Sequence, residues 1–435
     1  MRKSGDITYL YDNEKKHWIG ELLVKLAIFF PFVGIINGID NQPNLIILLV
    51  FAIPLLAYKF SLRTEPEFLL LISLVLVCFL LRFVLENEYV TPKYILTYLS
   101  SIYIFASLYL LVYNRLLDVS LRFLIFCGLI YAFVGFAQLF YPDFLAGVVN
   151  RSLEQALSYT STGRGVRSLT GEPAALGKVF TTLNVLMVFL ILINKEIHKK
   201  LLFCICTFAG FLVVSAVLSR SAYALAIHLV LFFVFLFVLS KAFFIIFFTS
   251  FSVLLLLFLN VDITEFSDIR ALNVFYQLFT DPSLLLQQGA IRRVLNIPIS
   301  LNSLNYYGIL GAGNSTEVFL ADINTPFGRL TYNAHNRNLG GLIEYVLKFG
   351  LLSVPLFFIL GFMIIKIALL KVFVSGRKLR VGIFLAVSII LLSFQDSSVS
   401  LSFSWFVLIF FYVFSTRINK QNKVIVSSFN KASNY

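Results

Sequence analysis

Apolar runs of roughly 20 residues, the length that crosses a bilayer as a helix, alternate with short polar breaks along almost the whole chain. They fall at about 19–37, 45–59, 67–85, 94–112, 123–141, 173–193, 201–218, 222–239, 242–260, 339–366, 381–396 and 402–416. A helix satisfies its own backbone groups, so it is the element that runs of this length adopt in lipid. The pattern predicts an all-α polytopic membrane protein with about twelve transmembrane helices, residues 1–435 forming one integral membrane domain. Residues 1–18 are polar and the first apolar run is already a full span, so no signal peptide is expected.

The breaks sort by charge. With a cytoplasmic N-terminus, one side carries Lys15, Lys16, Lys59, Arg63, Arg115, Arg122, Lys195, Lys199, Lys200, Lys241, Lys371, Arg377, Lys378 and Arg380. The basic tail 417–435 then lies on that same side. The short breaks on the other side hold almost no Lys or Arg, as the positive-inside rule requires. Two outer loops are long, 142–172 and 261–338. Their basic residues are Arg151, Arg164, Arg167, Arg270, Arg292, Arg293 and Arg329, with Arg337 at the border, and none is a lysine. Topology does not select Arg over Lys. A guanidinium fork matches phosphate bidentately, whereas an ammonium is a point charge. Pairing of these arginines with Asp262, Glu265 and Asp268 is the structural alternative. In the second loop, Ala271–Phe279 and Ser283–Leu301 carry apolar residues at helical spacing, broken by Pro282, Gly289 and Pro298, so short helices on the membrane face are expected.

Composition agrees with a membrane chain: 59% hydrophobic, 13% charged, 48 Phe and a mean hydropathy of +0.90. The net charge of +13 follows from the cytoplasmic lysines and arginines and does not call for a nucleic acid partner. Cys78, Cys127, Cys204 and Cys206 lie in or beside apolar runs and read as small packing residues. Neither HExxH nor paired-His spacing appears, so neither a metal nor another cofactor is expected.

The candidate chemistry sits where polar loops meet spans. Asn333–Gly350 (NAHNRNLGGLIEYVLKFG) puts His335, Asn336 and Arg337 at the start of the tenth span, with Glu344 about two turns inside. Ionisable groups near lipid are costly and mark function by default. His335 is the strongest candidate base, because imidazole titrates near working pH; a cap on the tenth span is the alternative. Arg164 and Arg167 are three residues apart, so one helical turn would put them on one side. Glu172 and Pro173 open the sixth span, where a carboxylate complements the helix dipole. Lys178 lies one turn further in, to snorkel or to line a cavity. Arg220 in the Ser219–Arg220–Ser221 turn and Arg82 near the end of the third span are outer-side exceptions to the charge rule; each either lines a site or anchors at headgroups. The stretch 304–314 (LNYYGILGAGN) lacks a Lys-Ser/Thr ending and a preceding strand, so it reads as a turn and not a phosphate loop. His228, mid-span, reads as a satisfied bundle histidine.

The order of these features resembles the O-antigen ligase and polymerase superfamily of bacterial inner membranes. The features are R-x-x-x-G-E-P (Arg167, Gly171, Glu172, Pro173), the S-R-S turn (Arg220), Arg292 or Arg293 ahead of Gly311 and Gly313, and H-N-x-x-L with a later F-G-L (His335, Asn336, Leu339, Phe349, Gly350, Leu351). The match covers about 164–352. It implies a GT-C-like bundle and a metal-independent glycosyltransferase acting on undecaprenyl diphosphate-linked sugars at the periplasmic face. It further implies that Arg167, Arg220 and Arg292 or Arg293 hold the diphosphate and that His335 is the acceptor's base. Many members have Asn-Pro where this chain has Glu172-Pro173, so Glu172 is either a second acid–base group or a cap. Within the superfamily a Wzy-type O-antigen polymerase fits best, working with a chain-length regulator (a polysaccharide co-polymerase). A ligase to lipid A core is the alternative inside it. A lipid-linked oligosaccharide flippase is the alternative outside it, but that would need basic residues at mid-membrane depth and short loops.

Overall fold

The computed structural model describes residues 20–33, 46–47, 49–51, 65–85, 92–114, 116–149, 163–193, 197–259, 276, 296–311, 319–325, 328–334, 344–369, 378–395, 406–413 and 416. The described residues are almost entirely helical. The elements are α1 (Pro66–Leu85), α2 (Pro92–Tyr113), α3 (Leu121–Phe140), α4 (Pro173–Ile193), α5 (Ile197–Ser219), α6 (Ala222–Leu239) and α7 (Lys241–Leu259). They continue as α8 (Asn296–Tyr307), β1 (Phe319–Thr325), β2 (Gly328–Ala334), α9 (Glu344–Phe349), α10 (Val354–Leu369) and α11 (Lys378–Gln395). Residues 20–29 and 406–413 are also helical. Among the described residues, five stretches are long and apolar enough to cross a membrane: α3, the segments Pro173–Leu192, Leu202–Ser219 and Gly350–Ile367, and α6.

The helix starts follow local chemistry. Pro66, Pro92 and Pro173 each occupy a first helical position, where the missing N–H has no partner to lose. Ser120 caps α3, its hydroxyl accepting from the Phe123 N–H at 3.3 Å, and Ser221 caps α6 from the Ala224 N–H at 3.4 Å.

α4 is the central helix. Of its span 89% is buried, against 33–56% for the other four stretches. It packs against α3, α5, α6 and α11. It is buried on nearly every side, so its sequence carries no lipid-facing stripe. Phe189 meets Phe411 of the last helix at 4.2 Å between ring centroids. The first helix joins through Tyr131 on α3, whose hydroxyl donates to the Phe29 carbonyl at 2.7 Å. All four cysteines are free thiols, and Cys78 Sγ donates to the Leu352 carbonyl at 3.3 Å.

Four expectations change. The second long loop holds an antiparallel hairpin as well as a helix, β1 on β2 from Phe319↔Ala334 to Thr325↔Gly328. Phe319, Ala321 and Ile323 alternate with polar Asp322 and Asn324, a period of two that does not suit a helix. Pro298 does not break the loop's helix; it sits in the first turn of α8, which runs on to Tyr307. The stretch read as a turn from 304 begins as helix, and its turn starts at Gly308, with a 3-10 segment Gly308–Leu310. Lastly, the tenth run, expected as one helix, is broken at Gly350: α9 ends at Phe349, Gly350–Ser353 is 3-10, and α10 follows. Gly350 has φ of +55° and a Cβ there would lie 2.3 Å from the Ile309 carbonyl oxygen. Only glycine takes that backbone at that distance.

Candidate functional site

The loop 163–172 is not a free surface loop. Between Val166 and Thr170 it is buried, pinned on three sides by named hydrogen bonds. The Val166 N–H donates to the Leu218 carbonyl at the end of α5 at 2.8 Å. The Ser168 N–H donates to Gln138 Oε1 at 2.7 Å, and Gln138 Nε2 returns to the Phe144 and Ser168 carbonyls at 2.9 and 3.2 Å. Ser168 Oγ donates to the Tyr131 carbonyl at 2.7 Å. Gln138 and Tyr131 both lie on α3, so one face of that helix carries the loop. Thr170 Oγ1 is 2.6 Å from the Arg167 carbonyl and 2.8 Å from that of Glu172, closing the turn that starts α4.

Gly165 lets this loop reach the α5–α6 turn. Its φ is +92°, and a Cβ there would meet the Leu218 carbonyl oxygen at 2.4 Å and that of Ser219 at 2.8 Å. Gly165 thus rests on the residues just before Arg220. Arg220 itself holds φ of +46°, a left-handed position uncommon for a side chain of its size. Backbone strain of this kind costs about 1–3 kcal/mol and persists only where the surroundings impose it. Here the imposing groups are Ser219, whose Oγ donates to Ser215 O at 2.7 Å, and the cap on Ser221.

Around this contact the structure gathers Arg164, Arg167, Glu172, Lys178 and Arg220 on adjoining segments. Arg164 is exposed, Arg220, Glu172 and Lys178 are half-buried, and Arg167 is 1% exposed. The Arg167 side chain points inward, and its Nη2 donates to the Ala146 carbonyl at 3.0 Å. A side chain so placed ties the 3-10 turn Ala146–Val148 to the loop. Arg164 and Arg167 therefore do not share a face, although their spacing allows it. Glu172 is a cap through its backbone: its carbonyl accepts from the Ala175 and Leu176 N–H groups at 3.0 and 3.3 Å.

A second junction brings together two other motifs. Gly350 lies against Ile309 and Gly311, so the F-G-L residues touch the segment that precedes Gly313. α8 packs on β1 and on α9. β2 ends at Ala334 and α9 starts at Glu344, which brackets the stretch containing His335, Asn336 and Arg337. Those three, with Arg292 and Arg293, lie outside the described residues, and Arg82 is placed only as a position on α1.

Two polar groupings were not apparent from the sequence. Lys366 on α10 forms an ion pair with Glu67 on α1 and donates to the Tyr412 hydroxyl at 2.7 Å. A charge inside each apolar run was the available signal, but the partners are 299 residues apart. Asn184 on α4 bonds both neighbours: its Nδ2 lies 3.2 Å from the Phe208 carbonyl of α5 and 2.5 Å from His228 Nε2 of α6. His228 is indeed a bundle histidine with a partner, fully buried.

Comparison with protein families, with characterised proteins and with solved structures found no match to this chain.

Proposed function

We propose that the chain is an O-antigen polymerase, a metal-independent glycosyltransferase of about twelve spans with a GT-C-like bundle, set in a bacterial inner membrane with both termini cytoplasmic. The observation that carries this reading is the docking of the R-x-x-x-G-E-P loop on the S-R-S turn through Gly165 and Leu218. It groups cationic side chains at one end of the bundle, where two arginines remain reachable. The contact of Gly350 with Gly311 supports it, because it joins two more of the motifs behind the resemblance.

In this reading the donor is a growing glycan on undecaprenyl diphosphate and the acceptor is a new lipid-linked repeat unit. A hydroxyl of the acceptor attacks the donor's anomeric carbon, the bond from that carbon to the diphosphate oxygen breaks, and the lipid diphosphate leaves with the electron pair. Arg164 and Arg220 face the developing phosphate charge, with Arg292 or Arg293 completing the set; preorganised cations act most strongly where water is excluded. Arg167 holds the loop from beneath. His335 takes the acceptor proton, and Glu172 is the alternative base. A chain-length regulator is the expected protein partner.

The test is the lipopolysaccharide ladder of a strain lacking the protein. Single repeats on the core support polymerase. Bare core with lipid-linked polymer makes the chain a ligase, and bare core with single lipid-linked repeats held inside makes it a flippase.

A further inference from the structure

α10 exposes one apolar stripe: Val354, Phe358, Phe362, Ile365 and Leu369, at 39, 75, 54, 58 and 75% exposure. The spacings of three and four residues put all five on one face. Because Gly350–Ile367 is long and apolar enough to cross a membrane, this stripe is the face that meets lipid. Leu351, 46% exposed, extends it by one turn beyond the start of α10.

The stripe does not stop there. The backbone at Ile309 and Gly311 rests on Gly350, the residue before Leu351. Ile309, Leu310 and Leu301 are 62, 37 and 53% exposed. Leu301 lies on α8, which ends at Tyr307; Gly308 turns the chain with φ of +69°, and Ile309 and Leu310 follow on the 3-10 segment, with Asn305 the exposed polar residue one turn after Leu301. On the opposite side Ser303 is buried, and α8 packs on α9 and β1. The segment thus has one side committed to the protein, and its exposed apolar residues Ile309 and Leu310 adjoin the lipid-facing side of α10 at Gly350, with Leu301 exposed on the helix before them.

We propose that residues 296–311 are an interfacial element, with Leu301, Ile309, Leu310 and Leu351 covered by bilayer hydrocarbon at the N-terminal end of α10. Contiguous exposed apolar surface marks a contact, and a surface helix of this kind seats its apolar face about 5–10 Å into the boundary of headgroups and acyl chains. The break at Gly350 then has a physical role: it leaves room for the 309–311 backbone to cross the helix axis at the membrane surface. The inference does not depend on the proposed reaction.

The experiment uses the full chain in liposomes, in a background with the native cysteines replaced. Single cysteines at Leu301 and Ile309 carry an NBD fluorophore, with Phe358→Cys as the lipid reference. Quenching by lipid-borne doxyl groups at 301 and 309 is expected within about two-fold of that at 358, strongest for labels near the headgroup and with iodide protection, as interfacial depth requires. Quenching by iodide without doxyl quenching would overturn it, leaving the segment in water. Protection from both quenchers, with cross-linking between copies, would overturn it in favour of a second chain on this face. As a check that needs no fluorophore, Ile309→Asp should make Leu301→Cys at least several-fold more reactive to an impermeant thiol reagent, by lifting the face out of lipid; no change overturns the lipid contact.

Discussion

The buried pair Asn184–His228 allows a quantitative test of how α4, α5 and α6 are held together. Asn184 Nδ2 is within bonding distance of both the Phe208 carbonyl and His228 Nε2, which fixes the amide's orientation and makes Nε2 the acceptor. Asn184→Leu removes both bonds and leaves the imidazole nitrogen buried without a partner. An interhelical hydrogen bond in a membrane protein contributes about 0.6 kcal/mol on average and up to about 1.7. The stranded nitrogen adds about 1–3 kcal/mol. The single variant should therefore lose about 2–4 kcal/mol, and His228→Leu less, since Asn184 Nδ2 keeps its bond to the Phe208 carbonyl. Asn184 Oδ1 and His228 Nδ1 already lack partners among the described residues. The double variant removes every one of these polar atoms and should be destabilised by less than the sum, with a coupling of about 1–2 kcal/mol. The measurement is reversible unfolding of the purified protein in mixed micelles, followed by near-UV circular dichroism, for wild type, both singles and the double. Independent sites add to within about 0.3–0.5 kcal/mol, so a coupling no larger than that would refute the three-helix role of Asn184.

Gly165→Ala should destabilise by more than about 2 kcal/mol and lower folded yield, because the new Cβ meets two backbone carbonyls that cannot rotate away; thermal aggregation of the detergent-solubilised protein checks it. Removing either partner of the Glu67–Lys366 pair should cost about 2–3 kcal/mol, below the fully buried value because the Lys366 side chain is 30% exposed. Glu67→Gln with Lys366→Met should recover most of that loss in the same assay, since no charge is left unpaired. In a polymer-ladder assay, Arg220→Lys should fall well short of wild type because the fork geometry is gone, while normal ladders in Arg164→Ala and Arg220→Ala at normal protein level would remove the cationic site. His335→Ala and His335→Gln should both lose most polymer, a positioned base being worth about 10²–10⁴-fold; an active Gln variant beside an inactive Ala variant would transfer the base role to Glu172.

What the chain alone determined is the helical character and the places of its clearest apolar helices. Lipid offers no partner for backbone groups, so a long apolar run has one outcome, and hydropathy along Pro173–Ile193 or Ala222–Leu239 reads it directly. Local chemistry also marked where α4 begins at Pro173 and how the chain turns at Ser219–Arg220–Ser221. Partnership was not legible. Arg164 and Arg167 look alike in sequence, yet one is exposed and the other is buried on the Ala146 carbonyl, because α3 and the end of α5 decide which way the loop turns. The run through Gly350 reads as one helix until Ile309 presses on it from a segment about 40 residues earlier. Glu67 and Lys366 stand 299 residues apart in the sequence; only the packing of α1, α10 and the last helix makes them a pair. Helix formation is decided by neighbours along the chain and by the solvent. A side chain's burial and partner are decided by whichever distant segment packs against it, and that is a property of the assembled bundle.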